Sequence, residues 1–259
     1  MEYPDIIYTK EGHIATIALN RPERMNAFST KMIDSIIRAV QDAAADDDIR
    51  VIVVTGAGRG FSSGLDLKEP PDFRANLGGG AAVRVPPMAT IFLNIDKPII
   101  ASINGPALGW GLELAMLCDI RVAVDSARIG DRHINNCVIA DHGGLFLLPR
   151  LVGWAKACEL AFTGQFIDGK EAERIGLVNK AVPQEQLEAT VREMANTIAS
   201  QAPLALQLSK RAMRDGLSSD LKTSQDYAFS LLGQLVRSQD FTEAITARME
   251  KREPQFKGR

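Results

Sequence analysis

Residues 99–124 constrain the fold more than any other part of the sequence. This stretch begins with a β-branched run at 99–103, breaks at Asn104-Gly105-Pro106, and continues into a helix-forming run that ends at Asp119. A second β-branched run, at 120–124, follows directly. Short apolar runs joined by a helix are typical of parallel strands with helical crossovers. The stretch therefore predicts a mixed α/β fold.

One carboxylate, Glu113, lies inside the otherwise apolar helix of this stretch, just after the glycine-rich turn Leu108-Gly109-Trp110-Gly111. The first turn of a helix has backbone N–H groups without partners inside the helix, and these groups attract negative charge. The turn therefore predicts an anion-stabilising site beside an acid or base. An ordinary strand-to-helix connection with a solvated Glu113 fits the same pattern, and the pattern alone does not separate the two.

Composition limits the function classes. The chain has 259 residues, a formal net charge of −2 and 24% charged residues, as in an ordinary globular protein. This charge balance argues against a nucleic-acid-binding surface, which needs clustered Lys and Arg. No apolar run has the length of a membrane span, and the first residues do not resemble a secretory signal, so we expect a cytoplasmic protein without a membrane partner.

The three cysteines, Cys118, Cys137 and Cys158, have no metal-ligand spacing and no pairing pattern. Each lies in an apolar context, which predicts free buried thiols in a reducing compartment.

Strand and helix signals alternate through most of the chain. A hairpin is expected over residues 5–20, a helix after the N-cap Ser29, and a buried strand over 51–55. The Pro- and Gly-rich residues 70–87 are the expected lid over a site.

Later signals predict a short helix from Gly143 that stops at Pro149 and a strand at Leu177-Val178. Near residue 200 the pattern becomes wholly helical. We therefore expect a core over 1–199 and a helical C-terminal region over 200–259, which packs on the core or on a neighbouring subunit.

Three segments carry a resemblance to a known family. They are Asn20-Arg21-Pro22 through Asn26-Ala27, Val53-Val54-Thr55-Gly56 through Phe61-Ser62-Ser63-Gly64-Leu65-Asp66-Leu67, and Ile103-Asn104-Gly105-Pro106-Ala107 through Glu113-Leu114-Ala115 and Cys118-Asp119. In order and spacing they resemble the crotonase superfamily, also called the enoyl-CoA hydratase/isomerase family.

The resemblance implies a crotonase-like spiral of ββα units before a helical region, in trimers or dimers of trimers. It implies an acyl-CoA thioester substrate, with no permanently bound cofactor and no metal. The shared chemistry would be an enolate stabilised by two backbone N–H groups, here those of Leu65 and Trp110. The Trp110 position is often Gly in this family, and its indole is expected either to line the acyl pocket or to pack behind the turn.

Residues that bind coenzyme A and the substrate are implied by position. They are Arg24, Ala27, Ser63, Asp66, Leu67, Phe256 and Lys257. Phe256 and Lys257 would approach the CoA end of the substrate, from the same chain or from a neighbouring subunit.

The resemblance implies that the reaction is decided by Glu113, His133 and Asp141. Family hydratases pair a glutamate at the Glu113 position with a second glutamate, and the second position here is His133. His133 is open to three interpretations: an acid/base, a donor that orients a carboxylate, or a pocket wall. Asp141 resembles the aspartate of family isomerases, which move a proton at a remote carbon. The neighbouring His142 is expected to point elsewhere.

The expected activity is hydration of a 2-enoyl-CoA. The first alternative is an enoyl- or dienoyl-CoA double-bond isomerase that uses Glu113 and Asp141. Further alternatives are a C–C bond hydrolase and a non-catalytic acyl-CoA- or RNA-binding homologue.

Overall fold

The computed structural model describes residues 2–66, 68 and 88–259. The expected lid over 70–87 and the expected CoA contact Leu67 lie outside the described residues. None of the helices in the described part of the chain is long and apolar enough to cross a membrane.

A six-stranded sheet forms the centre of the fold. The described residues form eight strands, six of them in this sheet: β1 (Ile6–Glu11), β2 (Ile14–Leu19), β3 (Val51–Gly56), β4 (Ile99–Ile103), β5 (Ala107–Leu108), β6 (Ile120–Val124), β7 (Ile129–Gly130) and β8 (Lys180–Val182). The sheet order is β1-β2-β3-β4-β6-β8, and β5 pairs with β7 in a separate two-stranded sheet. Only the β1–β2 hairpin is antiparallel among the described pairs of the large sheet.

Helices surround this sheet and form the C-terminal region. They are α1 (Thr30–Ala45), α2 (Met88–Leu93), α3 (Trp110–Leu117), α4 (Gly144–Val152), α5 (Trp154–Thr163), α6 (Gly169–Arg174), α7 (Leu187–Ala199), α8 (Pro203–Gly216), α9 (Leu221–Leu235) and α10 (Gln239–Glu250). Short 3₁₀ turns occupy Pro22–Arg24, Ile134–Asn136 and Gln184–Gln186.

Local sequence explains the first crossover. The Ser29 hydroxyl accepts a hydrogen bond from the Met32 N–H at 3.0 Å, so Ser29 is the N-cap of α1 as its position predicts. The buried side of α1 includes Ile33 and Ile36, and the first four residues of β3 are buried. A strand that is apolar at successive positions is buried on both faces, as in parallel sheets covered by helices.

Two sequence predictions in the second half of the chain are wrong. Pro149 does not end its helix but lies inside α4, which continues to Val152. Proline removes one backbone donor, a loss that this helix tolerates within its last turn. The strand expected at Leu177-Val178 lies at β8 instead, because the N–H groups of both residues donate to the Ala172 carbonyl at the end of α6. These bonds form a turn rather than a strand.

Charged contacts join the C-terminal helices to the sheet region. Lys210 on α8 donates to the Asp119 carboxylate at 2.7 Å and to the Lys97 carbonyl at 3.0 Å. Arg211 and Arg214 on the same helix pair with Asp96. These contacts place α8 against the start of β4, and the division of the chain at residue 200 stays a prediction.

Candidate active site

The loop after β3 lies between two other segments of the chain. Ser62 forms a parallel bridge with Ala107 on one side, and Leu65 forms one with Phe28 on the other. Gly64 lies between the two bridges with a φ of +94°, and a Cβ there would lie 2.8 Å from the Leu108 carbonyl oxygen. Glycine at this position therefore permits both the left-handed backbone and the close approach.

The same geometry bears on the two predicted oxyanion donors. The Phe28 N–H donates to the Gly64 carbonyl and the Asp66 N–H donates to the Phe28 carbonyl, so the N–H of Leu65 points away from Phe28. Trp110 is the first residue of α3, so its N–H lies at the N-terminal end of this helix, where backbone N–H groups favour negative charge. A Cβ at Gly64 would lie 3.5 Å from the Trp110 nitrogen, so the two donor positions are neighbours. Their role as an oxyanion hole stays a prediction.

Glu113 is fixed by backbone donors. Its side chain is 1% exposed, on the first turn of α3. Oε1 accepts hydrogen bonds from the N–H groups of His142 and Gly144, both at 2.8 Å. Gly144 has no room for a side chain, since a Cβ there would lie 2.8 Å from Oε1. The loop before α4 therefore binds one carboxylate oxygen, and Oε2 has no hydrogen-bonding partner among the described residues.

His133 lies between two carboxylates. Its Nδ1 is 2.6 Å from Asp131 Oδ1, and its Nε2 is 3.2 Å from Glu113 Oε2. The second contact is short enough for an ion pair but lacks hydrogen-bond alignment. Burial by itself would lower the pKa of His133, but the hydrogen bond to Asp131 and the charges of the two carboxylates outweigh it and raise this pKa to about 9. His133 is therefore an imidazolium at neutral pH.

Asp141 is held by a side-chain donor. The indole Nε1–H of Trp110 donates to Asp141 Oδ1 at 2.9 Å. The Trp110 ring also makes edge-on contacts with Phe28, at a centroid distance of 6.1 Å, and with the ring of His142, at 4.3 Å. Of the two expectations for the indole, lining the site is therefore the one that the contacts favour.

The expectation that His142 points elsewhere is wrong. Its N–H binds Glu113 and its ring packs on Trp110, because the chain turns at Gly143, with φ +95°, directly before α4. Sequence reasoning also missed Asp131. Its spacing of two residues from His133 is a local signal that could have indicated the contact.

The structure brings Glu113, His133 and Asp141 together. One oxygen or nitrogen atom from each lies within 4.8 Å of the others. Two carboxylates and an imidazole form a donor set that divalent metals accept. A ligating imidazole must be neutral, however, and the raised pKa of His133 opposes that. The expectation of no metal stays a prediction.

Four of the predicted CoA-binding residues lie on adjoining loops. The Ser63 hydroxyl donates to the Arg24 carbonyl at 3.3 Å. Arg21 joins the other two, because its guanidinium donates to the Ala27 carbonyl at 2.7 Å and to Asp66 at 3.0 Å.

Asp66 is also engaged within the loop. The Lys68 N–H is the main cause that lowers the pKa of Asp66, and Arg21 lowers it further. These contacts give Asp66 a structural role, and its contact with substrate stays a prediction.

Phe256 and Lys257 lie elsewhere in the chain. The Arg50 guanidinium donates to the Phe256 carbonyl at 2.7 Å, and the Lys257 N–H donates to Asp240 at 2.7 Å. Arg50 directly precedes β3, whereas Ser63 follows its far end, and a six-residue strand spans about 20 Å. The structure therefore does not bring these two residues to the site within one chain.

Comparison with known proteins identifies the family. The family model described as enoyl-CoA hydratase/isomerase matches residues 9–259. The chain belongs to this family. Membership confirms the resemblance read from the three segments, and the α/β architecture confirms the predicted fold class.

Members of the enoyl-CoA hydratase/isomerase family match over the whole chain. The short-chain-enoyl-CoA hydratase of Clostridium acetobutylicum is 36% identical, with 100% of both chains covered. The crotonyl-CoA hydratase of Syntrophomonas wolfei is also 36% identical, with 99% of both covered. The crystal structure of an enoyl-CoA hydratase from Bacillus anthracis superposes with a TM-score of 0.89 at 34% identity, covering 98% of this chain and 100% of that one.

Proposed function

We propose that this protein adds water across the double bond of a 2-enoyl-CoA. The observation that carries the proposal is the state of Glu113: Oε1 is fixed by two backbone N–H groups, while Oε2 faces the His133 imidazolium at 3.2 Å. One fixed base beside one charged acid is what hydration needs, because a proton is removed from water and another is added to carbon. The hydratase relatives at 36% identity support the same reaction.

The proposed sequence of events begins at Glu113. Oε2 accepts a proton from water, the oxygen of that water bonds to C3, and the electrons of the double bond move to the thioester oxygen as an enolate. The N–H groups of Leu65 and Trp110 stabilise that oxygen, and a donor aimed at developing charge contributes roughly 3–4 kcal/mol.

His133 completes the addition. Its Nε2 gives a proton to C2 as the enolate collapses. Glu113 then passes the proton that it took from water to His133 Nε2, across the 3.2 Å contact. Both groups end in their starting charge states, so the net change is the addition of one water molecule. A pKa of about 9 suits this role, because His133 still holds its proton at neutral pH.

A specific observation favours a second candidate, double-bond isomerisation. Asp141 lies in the same cluster as Glu113 and is oriented by the Trp110 indole. Two protein carboxylates that face one substrate can remove a proton from one of its carbons and return it at another. No contact in the described part of the chain favours the C–C hydrolase or the non-catalytic alternatives.

The substrate, assembly and location belong to the same proposal. We place coenzyme A in the substrate rather than as a bound cofactor, with Arg24, Ala27 and Ser63 beside it. Exposed apolar side chains support a homotrimer or dimer of trimers, among them Phe162, Leu221 and Phe229. A neighbouring subunit would then supply Phe256 and Lys257. Cys118, Cys137 and Cys158 form no disulfide, which supports a cytoplasmic location, but only Cys118 is buried, so the expectation of three buried thiols is wrong.

A panel of thioesters tests the proposal. Wild type, Glu113→Gln and the control Glu159→Gln, an exposed glutamate on α5, are assayed with 2-enoyl-, 3-enoyl- and dienoyl-CoA. We expect loss of the 2-enoyl absorbance with uptake of water, and a drop in kcat of about 10²–10⁴-fold in Glu113→Gln alone. Turnover of 3-enoyl-CoA without net hydration would establish the isomerase instead.

A further inference from the structure

Trp110 occupies two parts of the site at once. Its backbone nitrogen begins α3 beside Gly64, at the predicted thioester end. Its indole Nε1 reaches Asp141, which is 31 residues further along the chain, at 2.9 Å. No other described donor binds the Asp141 carboxylate, which is otherwise exposed.

The indole itself is held on its ring. Phe28 meets it edge-on at 69° and His142 at 70°, and the side chain is 5% exposed. Phe28 is fully buried, and the backbone of His142 is fixed by Glu113. Because the indole packs against the rings of both Phe28 and His142, it has little rotational freedom, and its N–H points in one direction.

We infer that the Trp110 side chain is the positioning residue for Asp141, holding this carboxylate at a fixed place relative to Glu113 and His133. The inference rests on the proposed function, because it assigns Asp141 a task in thioester chemistry. The main chain of Trp110 contacts the reacting thioester, and its side chain acts only through Asp141. One residue thus sets the distance between the oxyanion and the remote carboxylate.

The hydrogen bond gives a direct spectroscopic readout. The chain has two tryptophans, and Trp154 is 77% exposed, so the indole ¹H–¹⁵N resonances of Trp110 and Trp154 form a matched pair. Asp141→Ala, which removes the acceptor oxygen, should move the Trp110 indole resonance and leave that of Trp154 in place. An unmoved Trp110 resonance would overturn the inference. Asp141 is exposed, so this variant is expected to fold.

A double-mutant cycle tests the consequence for turnover. Trp110→Phe keeps the backbone N–H and an aromatic ring but removes the indole donor. We expect it to lower kcat by less than about tenfold, and by no more than Asp141→Ala does, with a smaller change in KM for the same thioester reaction. In the Asp141→Ala background the same Trp110 change should have no further effect. Trp154→Phe is the control and should match wild type.

The outcomes separate this inference from the proposed function. Additive effects of the two substitutions, with hydration still dependent on Glu113, overturn the positioning role and leave hydration in place. If no thioester turns over, the proposed function fails, and the NMR comparison still decides whether Trp110 holds Asp141. Should Trp110→Phe fail to fold, the NMR comparison on Asp141→Ala decides in the same way.

Discussion

The two carboxylates of the site are held in opposite ways. Glu113 is buried, and two backbone N–H groups bind one of its oxygens. Asp141 is exposed, and one side-chain donor, the indole of Trp110, binds one of its oxygens. Backbone donors are set by the fold, whereas a side-chain donor changes with a single substitution.

This difference predicts which of the two contacts survives a substitution. Changing the side chain of His142 leaves its N–H on Glu113, so that anchor is robust. The anchor of Asp141 depends on Trp110 being a tryptophan. We therefore expect Glu113 to support the chemistry shared by the enoyl-CoA hydratase/isomerase family, and Asp141 to tune the reaction of this member.

Replacing His133, which faces the buried Glu113, should have the largest effect on hydration among the tests of this comparison. His133→Gln removes the imidazolium that faces Glu113, and we expect hydration to fall by about 10²–10³-fold in kcat. Wild-type activity should also fall as pH rises through about 9, because His133 then loses the proton that it donates. Stopped-time absorbance assays from neutral pH to beyond pH 10 would measure both effects.

The control for this test is His13→Gln. His13 is exposed and contacts the Asp48 carbonyl, far along the chain from the site. This variant should keep the wild-type rate and pH profile. An alkaline decline that persists unchanged in His133→Gln would show that His133 is not the group that titrates.

Replacing Gly144 tests the backbone donors that hold Glu113, and we expect a smaller loss of activity than in His133→Gln. In Gly144→Ala the added Cβ would lie 2.8 Å from Glu113 Oε1 and 2.9 Å from the Cβ of Ala140, so the carboxylate must shift. Because small misplacements of a catalytic group are costly, we expect kcat/KM to fall by about 10–100-fold. Gly233→Ala on α9 has nothing within 4 Å and serves as the control. Equal activity in both variants would show that Glu113 does not need this placement.

Much of the fold could be predicted from the sequence because its signals are local. Ser29 caps α1 through its own hydroxyl, and the β-branched run of β3 is buried. Leu177 and Val178 were misassigned because their apolar character does not show that the Ala172 carbonyl binds both N–H groups. Pro149 was misassigned because a proline signal does not distinguish a helix end from a tolerated interior position.

The site divides in the same way. Spacing within the family motif indicated Glu113, His133 and Asp141, and the structure brings them together. The indole contact between Trp110 and Asp141 joins residues 31 apart through a side-chain rotamer, which no sequence period encodes. The hydrogen bond from the His142 N–H to Glu113 depends on the turn before α4, so the type of side chain at this position does not predict it.

Asp141 gives the smallest expected effect on hydration and so completes the comparison. Asp141→Asn keeps the shape of the side chain but removes its charge, and Glu113 and His133 keep their contacts. We expect hydration of a 2-enoyl-CoA to fall by less than about tenfold, while any isomerisation of 3-enoyl-CoA should fall more, because only that reaction needs a second carboxylate base. Parallel measurement of both rates, with the exposed Asp226→Asn as control, checks this. A loss of hydration as large as that in Glu113→Gln would mean that the exposed carboxylate, and not the His133 imidazolium, supplies the second proton transfer.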